Sequence, residues 1–132
     1  MFDRHVEDGL LAVLKEEGIG CIVFSPLAQG LLTERYLGGI PSDSRVGKAS
    51  RFLKSENVNE EALGRARQLA VLARRRGQTL AQLAVTWILR QPQITSVLIG
   101  ASRTAQIEEL HAGLSYPPLT DNELEEIEKC LK

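Results

Sequence analysis

The chain has 132 residues and a net charge of −1, with acidic and basic residues well mixed. This length allows one domain with a core but is too short for a complete eight-unit barrel, which needs about 250 residues. The balanced charge argues against nucleic acid or a membrane surface as a partner, and no apolar run approaches the roughly 20 residues of a membrane span. The N-terminus has no apolar secretion signal, and two isolated cysteines, Cys21 and Cys130, favour a reduced, cytoplasmic protein.

The first predicted elements are a short helix over 8–17 and a strand over 19–25. Gly18 suits the left-handed residue that ends a helix, and Pro26 cannot continue the hydrogen-bond ladder of a strand. The strand is a continuous apolar run, which is typical of a strand covered on both faces in a parallel sheet. The apolar side of the helix consists of Leu10, Leu11, Val13 and Leu14.

Residues 30–58 form the least regular stretch, and a loop of this length within a compact domain is usually functional or mobile. A long helix follows. Asn59 is its predicted N-cap, and Val58 and Leu63 have the spacing of a hydrophobic staple. Its basic end, Arg74–Arg76, is interpreted as a favourable match to the helix dipole rather than as a nucleic-acid contact.

The remaining pattern predicts three helices and a second strand. A helix begins at Thr79 with Gln82 in a capping box, and its apolar composition predicts burial on most sides, with Trp87 in the core. A strand over 94–99 is followed by an amphipathic helix over 104–114. The apolar face of this helix is predicted to be Ile107, Leu110 and Leu114. A second capping box, Thr120 with Glu123, opens a last helix that ends at Leu131.

Strands that alternate with helices predict an α/β fold with parallel strands, in which ligands bind at the carboxyl ends of the strands. Two segments follow such ends: Ser25–Arg35 and Gly100–Gln106. In the second, Ser102 and Arg103 precede a helix whose free N–H groups and positive dipole end favour phosphate. An ordinary strand-to-helix turn, capped by Ser102 or Thr104, is the alternative interpretation.

Both segments resemble motifs of the aldo-keto reductase family. The first reads Ser-Pro-Leu-Ala-Gln-Gly-Leu-Leu-Thr-Glu-Arg, and the second reads Gly-Ala-Ser-Arg-Thr-Ala-Gln-Ile-Glu-Glu-Leu. They are similar to the segments after barrel strands seven and eight in the branch that contains bacterial glyceraldehyde-3-phosphate reductases and potassium-channel β subunits. The resemblance covers nearly the whole chain. It implies that residues 1–132 are the C-terminal part of a (β/α)8 TIM barrel.

The resemblance also implies an NADP site. Ser25, Leu27 and Gln29 would line the path of the nicotinamide and pyrophosphate, and Arg35 stands where the family has a phosphate-binding Lys. Ser102 and Gln106 would hold the 2′-phosphate and adenine end. Gly100 would allow close approach to the ligand, and Arg103 would lie near the phosphate. Leu110 stands where the family has Asn, so a hydrogen bond to the adenine side is expected to be missing.

The catalytic residues of the family have no counterpart here. The family uses a Tyr general acid with Lys, Asp and His, which come from the first half of the barrel. Tyr36 and Tyr116 lie in late loops, His5 and His111 fit structural or surface roles, and no cluster suggests a metal. We therefore expect no catalytic residue and no metal ligand in this chain.

The leading interpretation is the cofactor-binding part of an NADP-dependent aldo-keto reductase that reduces aldehydes and ketones to alcohols. The chain alone is expected to be inactive. It is also expected to self-associate, because the helices can cover only one face of the strand pair and would leave the face of the barrel interior open to water. A truncated gene product, a fragment or a reading frame with a wrongly assigned start would each explain such a chain. A non-enzymatic interaction module akin to the channel β subunits is the alternative. An unrelated anion-binding α/β protein is a third reading, which requires both motif matches to be accidental.

Overall fold

A computed structural model describes residues 1–38 and 60–132. Helices and strands alternate along these residues, with short 3-10 turns between several of them. In chain order they are α1 (Leu10–Glu16), β1 (Cys21–Phe24), α2 (Glu60–Arg75), α3 (Leu80–Leu89), β2 (Ile94–Leu98), α4 (Thr104–Ala112) and α5 (Asp121–Leu131). The predicted order of elements is confirmed in the described residues.

The two strands form a parallel pair, as the alternation of elements predicts. Val23 is registered with Val97 and Phe24 with Leu98, after an irregularity between Cys21 and Ile22. The entry to β1 is tight, because a Cβ on Gly20 would lie only 2.5 Å from Cγ2 of Thr95. The parallel register puts the carboxyl ends of both strands at one edge of the sheet.

The core lies between the sheet and helices α2, α3 and α5. Along α3 nearly every side chain is buried, and Trp87 belongs to the main apolar cluster, as predicted. Leu69 of α2 and Ile127 of α5 are fully buried in the same cluster. Val23 and Val97 pack against this cluster from the sheet. The helices therefore cover one face of the strand pair.

The opposite face of the sheet is exposed, as expected when the helices cover only one face of the strand pair. Ile22, Phe24 and Leu98 point to this face and are 69%, 78% and 64% exposed. The apolar composition of β1 suits two covered faces, but within the described residues the helices supply cover for one. We call Ile22, Phe24 and Leu98 the open sheet face.

Two helix predictions need correction. The first helix begins at Leu10 rather than at residue 8, and a 3-10 turn at His5–Glu7 comes before it. Leu11 is buried, whereas Leu10 and Val13 are exposed. The fourth helix ends at Ala112 and continues as a 3-10 turn, Gly113–Ser115. On its predicted apolar face Leu110 is buried, but Ile107 and Leu114 are exposed, so the packed face is narrower than the spacing suggests.

Both predicted capping boxes are present. The Thr79 hydroxyl accepts from Gln82 N and the Gln82 side chain accepts from Thr79 N. The same reciprocal pair joins Thr120 and Glu123. The predicted Asn59 cap, the Val58 half of the staple, and most of the predicted loop over 30–58 lie outside the described residues.

An ionic cluster joins the N-terminal segment to α3 and α5. Glu7 accepts hydrogen bonds from Arg4 Nε at 2.9 Å and from Arg90 Nη2 at 3.2 Å. The Arg90 guanidinium lies 3.6 Å from the centre of the Trp87 ring, and Arg4 also contacts Glu128 at 2.6 Å. Desolvation raises the pKa of Glu7, but the hydrogen bonds and charges of Arg4 and Arg90 outweigh it, and the net pKa lies below its ordinary value.

We expect Glu7→Gln to destabilise the chain by about 1–2 kcal/mol at pH 7, because it removes the charge that pairs two half-buried guanidinium groups. Because the folded pKa is depressed, this contribution is present above the ordinary carboxyl value of 4.5 and is lost as the pH falls through the folded pKa. Urea unfolding at pH 7 and at about pH 3 measures the difference. The exposed Glu125→Gln is the control, and an equal loss for both variants would contradict the prediction.

Candidate functional site

The carboxyl edge of the strand pair brings the starts of the two predicted segments together. Phe24 and Leu98 are the last registered pair, and the chain passes from them directly into Ser25 and, through Ile99, into Gly100. Ser25 and Gly100 are both exposed at this edge. Arg35 lies further along the first segment, beyond the buried Leu32, on the 3-10 turn Glu34–Tyr36.

The first segment has an unusual backbone. Ser25, Ala28 and Gln29 have left-handed φ angles of 52°, 46° and 58°, and Gly30 follows at 99°. A left-handed conformation costs a non-glycine residue about 1 kcal/mol or more, and such strain clusters at ligand clamps. These left-handed residues were not predicted from the sequence, because only Gly30 is of a type that favours a positive φ. The strained turn supports a ligand-holding role for this loop.

Packing and hydrogen bonds hold the strained turn in place. Ala28 N donates to Ser25 O at 3.1 Å, and Leu32 N donates to Leu27 O at 3.1 Å. Gln29 Nε2 lies 3.4 Å from Ser25 Oγ, which brings two predicted site residues together. Leu27 packs against the core, whereas Ser25 is exposed. The segment therefore presents polar atoms on a fixed apolar base.

The turn that carries Arg35 is also anchored. The Thr33 hydroxyl donates to Gly30 O at 2.7 Å and accepts from Arg35 N at 3.3 Å. Tyr36 is 1% exposed and packs with Leu31 and Leu63. The backbone at Arg35 is thus held between the N-cap residue Thr33 and the buried ring of Tyr36, while Arg35 is itself exposed.

The second segment begins α4 with a cap that the sequence reading did not assign. Gln106 Oε1 accepts from Ser102 N at 2.8 Å, from Ser102 Oγ at 3.3 Å and from Arg103 N at 3.2 Å. Neither Ser102 nor Thr104 caps the helix with its side chain, so that alternative is corrected. The hydrogen bonds bring Ser102, Arg103 and Gln106 together and fix the Gln106 carboxamide, whose Nε2 carries two donor hydrogens.

Leu110 packs against the core, as predicted from the apolar face of α4, at the position where the resemblance implies Asn. It is 7% exposed and clusters with Ala81 and Val85 of α3. Gln82 Nε2 also donates to Glu109 O at 2.8 Å, so the middle of α4 is attached to α3. Leu110 therefore stabilises the placement of α4 and offers no hydrogen bond to a ligand.

Residues with the chemistry of a general acid or a metal ligand have other surroundings. Tyr36 is buried, and the Tyr116 hydroxyl donates to Gly77 O. His5 is exposed with its Nδ1 2.7 Å from Asp3 Oδ1, and His111 is exposed on α4. Across residues 1–38 and 60–132 no three His, Cys, Asp or Glu side chains come close enough to hold a metal ion. Nor does any helix in this part have the length and apolar character needed to cross a bilayer.

Comparison with known proteins places the chain in a family. The sequence profile of the aldo/keto reductase family matches residues 1–132. L-glyceraldehyde 3-phosphate reductase of Escherichia coli K12 is 45% identical over 133 residues, which are 98% of this chain and 38% of that protein. A probable voltage-gated potassium channel subunit beta of Arabidopsis thaliana is 39% identical over 136 residues, with 100% and 42% of the two chains covered. The chain therefore spans about two fifths of these relatives.

Solved structures show the same fold. A glycerol dehydrogenase from Gluconobacter oxydans aligns with a TM-score of 0.72 at 24% identity, over 98% of this chain and 39% of its own. An aldo-keto reductase from Bacillus halodurans, in its holo form, aligns with a TM-score of 0.71 at 24% identity, over 99% and 40%. The parallel strand pair and its helices are thus part of a TIM barrel, as predicted.

Proposed function

Because this chain belongs to the aldo/keto reductase family, we propose that it forms the NADP-binding part of a reductase that converts aldehydes or ketones to alcohols. The observation that carries the proposal is the register of Phe24 with Leu98. It brings the strained Ser25–Gln29 turn and the start of α4 to one edge of the sheet. Ligands bind at this edge in barrels of parallel strands.

The donor set fits a dinucleotide with an extra phosphate. The positive end of α4 and the exposed guanidinium of Arg103 suit a 2′-phosphate, and Ser102 adds a hydroxyl. The turn Gly100–Arg103 contains no carboxylate to receive a ribose hydroxyl in its place. Ser25, Leu27 and Gln29 would hold the nicotinamide and pyrophosphate, with Gly100 leaving room for close approach. Arg35 would contact phosphate, and Gln106 would reach the adenine side.

The division of labour follows from these residues. The bound cofactor would supply hydride to a carbonyl carbon, and the protein would position it. This chain's residues would bind and orient the nucleotide. A proton donor would have to come from another part of the barrel, because Tyr36 is buried and Tyr116 is engaged with Gly77. We propose a cytoplasmic location, consistent with free thiols at Cys21 and Cys130.

A calorimetric titration with NADP⁺ and NAD⁺ at matched ionic strength tests the proposal. We expect NADP⁺ to bind about tenfold more tightly, because the 2′-phosphate adds charge-assisted hydrogen bonds. Arg103→Ala should remove most of this preference, whereas Arg74→Ala, an exposed arginine near the end of α2, should leave it unchanged. Equal affinities for the two nucleotides, or a preference for NAD⁺, would refute the assignment of Ser102 and Arg103.

An interaction module without catalysis is the second candidate. The 39% identity to a probable potassium channel β subunit favours it. We also propose that the isolated chain self-associates through the open sheet face, since exposed apolar patches mark interaction surfaces. Nucleotide binding does not distinguish the two candidates. Carbonyl reduction by a complete barrel that contains this chain does.

A further inference from the structure

The turn that carries Arg35 is attached to the start of α3 by a carboxylate. Glu34 Oε1 accepts a hydrogen bond from Leu80 N at 2.9 Å, although the two residues are 46 positions apart. Leu80 is the first residue of α3, and most of that helix is buried in the core. The contact therefore connects an exposed turn at the proposed cofactor site to a helix that is mostly buried in the core.

The hydrogen bond gives a partner to a backbone N–H group at the start of α3. The first N–H groups of a helix have no partner within the helix. At α3 the capping box satisfies Thr79 N and Gln82 N, and Glu34 satisfies Leu80 N. A carboxylate is favoured there by the helix dipole as well. The carboxylate of Glu34, the residue before Arg35, is thus hydrogen-bonded to the start of α3.

Glu34 is the first residue of the 3-10 turn Glu34–Tyr36 and directly follows the N-cap Thr33. Its neighbours complete the arrangement, because the Thr33 hydroxyl accepts from Arg35 N and Tyr36 is buried. Fixing the backbone of the turn in advance reduces the backbone entropy that Arg35 would lose when it binds a ligand.

We infer that Glu34 is a positioning residue for the proposed cofactor site: it anchors the Arg35 turn to the N-terminus of α3 and so fixes the backbone from which the Arg35 side chain reaches the phosphate. The inference rests on the proposed function, in which Arg35 contacts phosphate. It differs from a purely electrostatic view, in which a carboxylate beside a phosphate site weakens binding and its removal would strengthen it.

A double-mutant cycle tests the inference, with NADP⁺ affinity measured by calorimetry for the wild type, Glu34→Ala, Arg35→Ala and the double variant. We expect Glu34→Ala to raise the Kd roughly threefold to tenfold, and to have little effect once Arg35 is already replaced. Glu34→Gln should bind nearly as the wild type does, because its Oε1 can still accept from Leu80 N. Urea unfolding of each variant measures whether affinity changes independently of stability.

Three outcomes would overturn the inference while leaving the proposed function intact. Glu34→Ala could bind as the wild type does, it could bind more tightly, or its full effect could persist in the Arg35→Ala background. The first would mean that the anchor is irrelevant to binding, the second that charge dominates, and the third that Glu34 acts independently of Arg35. An unchanged affinity for Arg35→Ala alone would instead refute the phosphate role of Arg35 in the proposed function.

Discussion

Incubated with NADPH and glyceraldehyde or methylglyoxal, this 132-residue chain should show no turnover above the uncatalysed rate. Carbonyl reduction needs a proton at the oxygen, and a positioned general acid contributes about 10²–10⁴-fold to a rate. Tyr36 is 1% exposed and the Tyr116 hydroxyl donates to Gly77 O, so the first phenol is buried and the second already shares its proton with the backbone. Spectrophotometric loss of NADPH is the measurement.

The positive control is the Escherichia coli L-glyceraldehyde 3-phosphate reductase, assayed with L-glyceraldehyde 3-phosphate under the same conditions. Its turnover would show that the assay detects carbonyl reduction. Activity in the present chain would contradict the prediction if it survives repurification and is lost on Arg35→Ala. Activity that Arg35→Ala leaves unchanged would indicate a contaminant. The comparison therefore separates chemistry at the proposed site from chemistry brought in with the preparation.

In solution the chain should form dimers or larger assemblies rather than a single monomeric species. The open sheet face exposes the side chains of Ile22, Phe24 and Leu98, and the described residues pair each strand along one edge. Exposed apolar patches and open strand edges both recruit other chains. Light scattering after size-exclusion chromatography at several concentrations measures the mass.

Replacing Phe24 and Leu98 by Thr should lower the average mass, because it removes apolar surface while keeping residues that favour strands. Val71→Thr is the control: Val71 is 54% exposed on α2, away from the open sheet face. A monodisperse wild-type monomer with a sharp thermal transition would contradict the prediction. An assembly of unchanged mass in the Phe24/Leu98 variant would place the contact elsewhere.

Local patterns predict those parts of the fold that depend on neighbours in sequence. The capping boxes at Thr79 and Thr120 need only residues three positions apart, so their spacing is sufficient to find them. Burial of α3 follows from a helix with little polar surface, and the parallel pairing follows from strands separated by helices. These predictions are confirmed. Each depends on residues close together in sequence or on the order of helices and strands, and both can be read from the chain.

Contacts between distant residues and backbone strain could not be predicted in the same way. The hydrogen bond from Leu80 N to Glu34 Oε1 joins residues that are 46 positions apart in sequence. Such a contact depends on how α3 packs in the folded chain. The left-handed Ser25 and Ala28 carry no signal, because residues with a Cβ rarely adopt this conformation.

The cofactor site could be predicted as a location more easily than as a set of contacts. Parallel strands put Ser25 and Gly100 at one edge, and this follows from the order of elements. The role of Gln106 as the cap of α4 does not, because the sequence offered Ser102 and Thr104 as more usual caps. Leu110 illustrates a competing demand, since packing against Ala81 and Val85 takes the place of a polar contact.

Hydrogen–deuterium exchange with and without NADP⁺ tests the central claim that the two strand-end segments form one cofactor site. Bound nucleotide should slow exchange in both residues 25–35 and residues 100–106, because both would lose access to water together. Peptides from α5, Asp121–Leu131, should exchange at an unchanged rate. Protection of one segment alone, of neither segment, or of α5 would contradict the account.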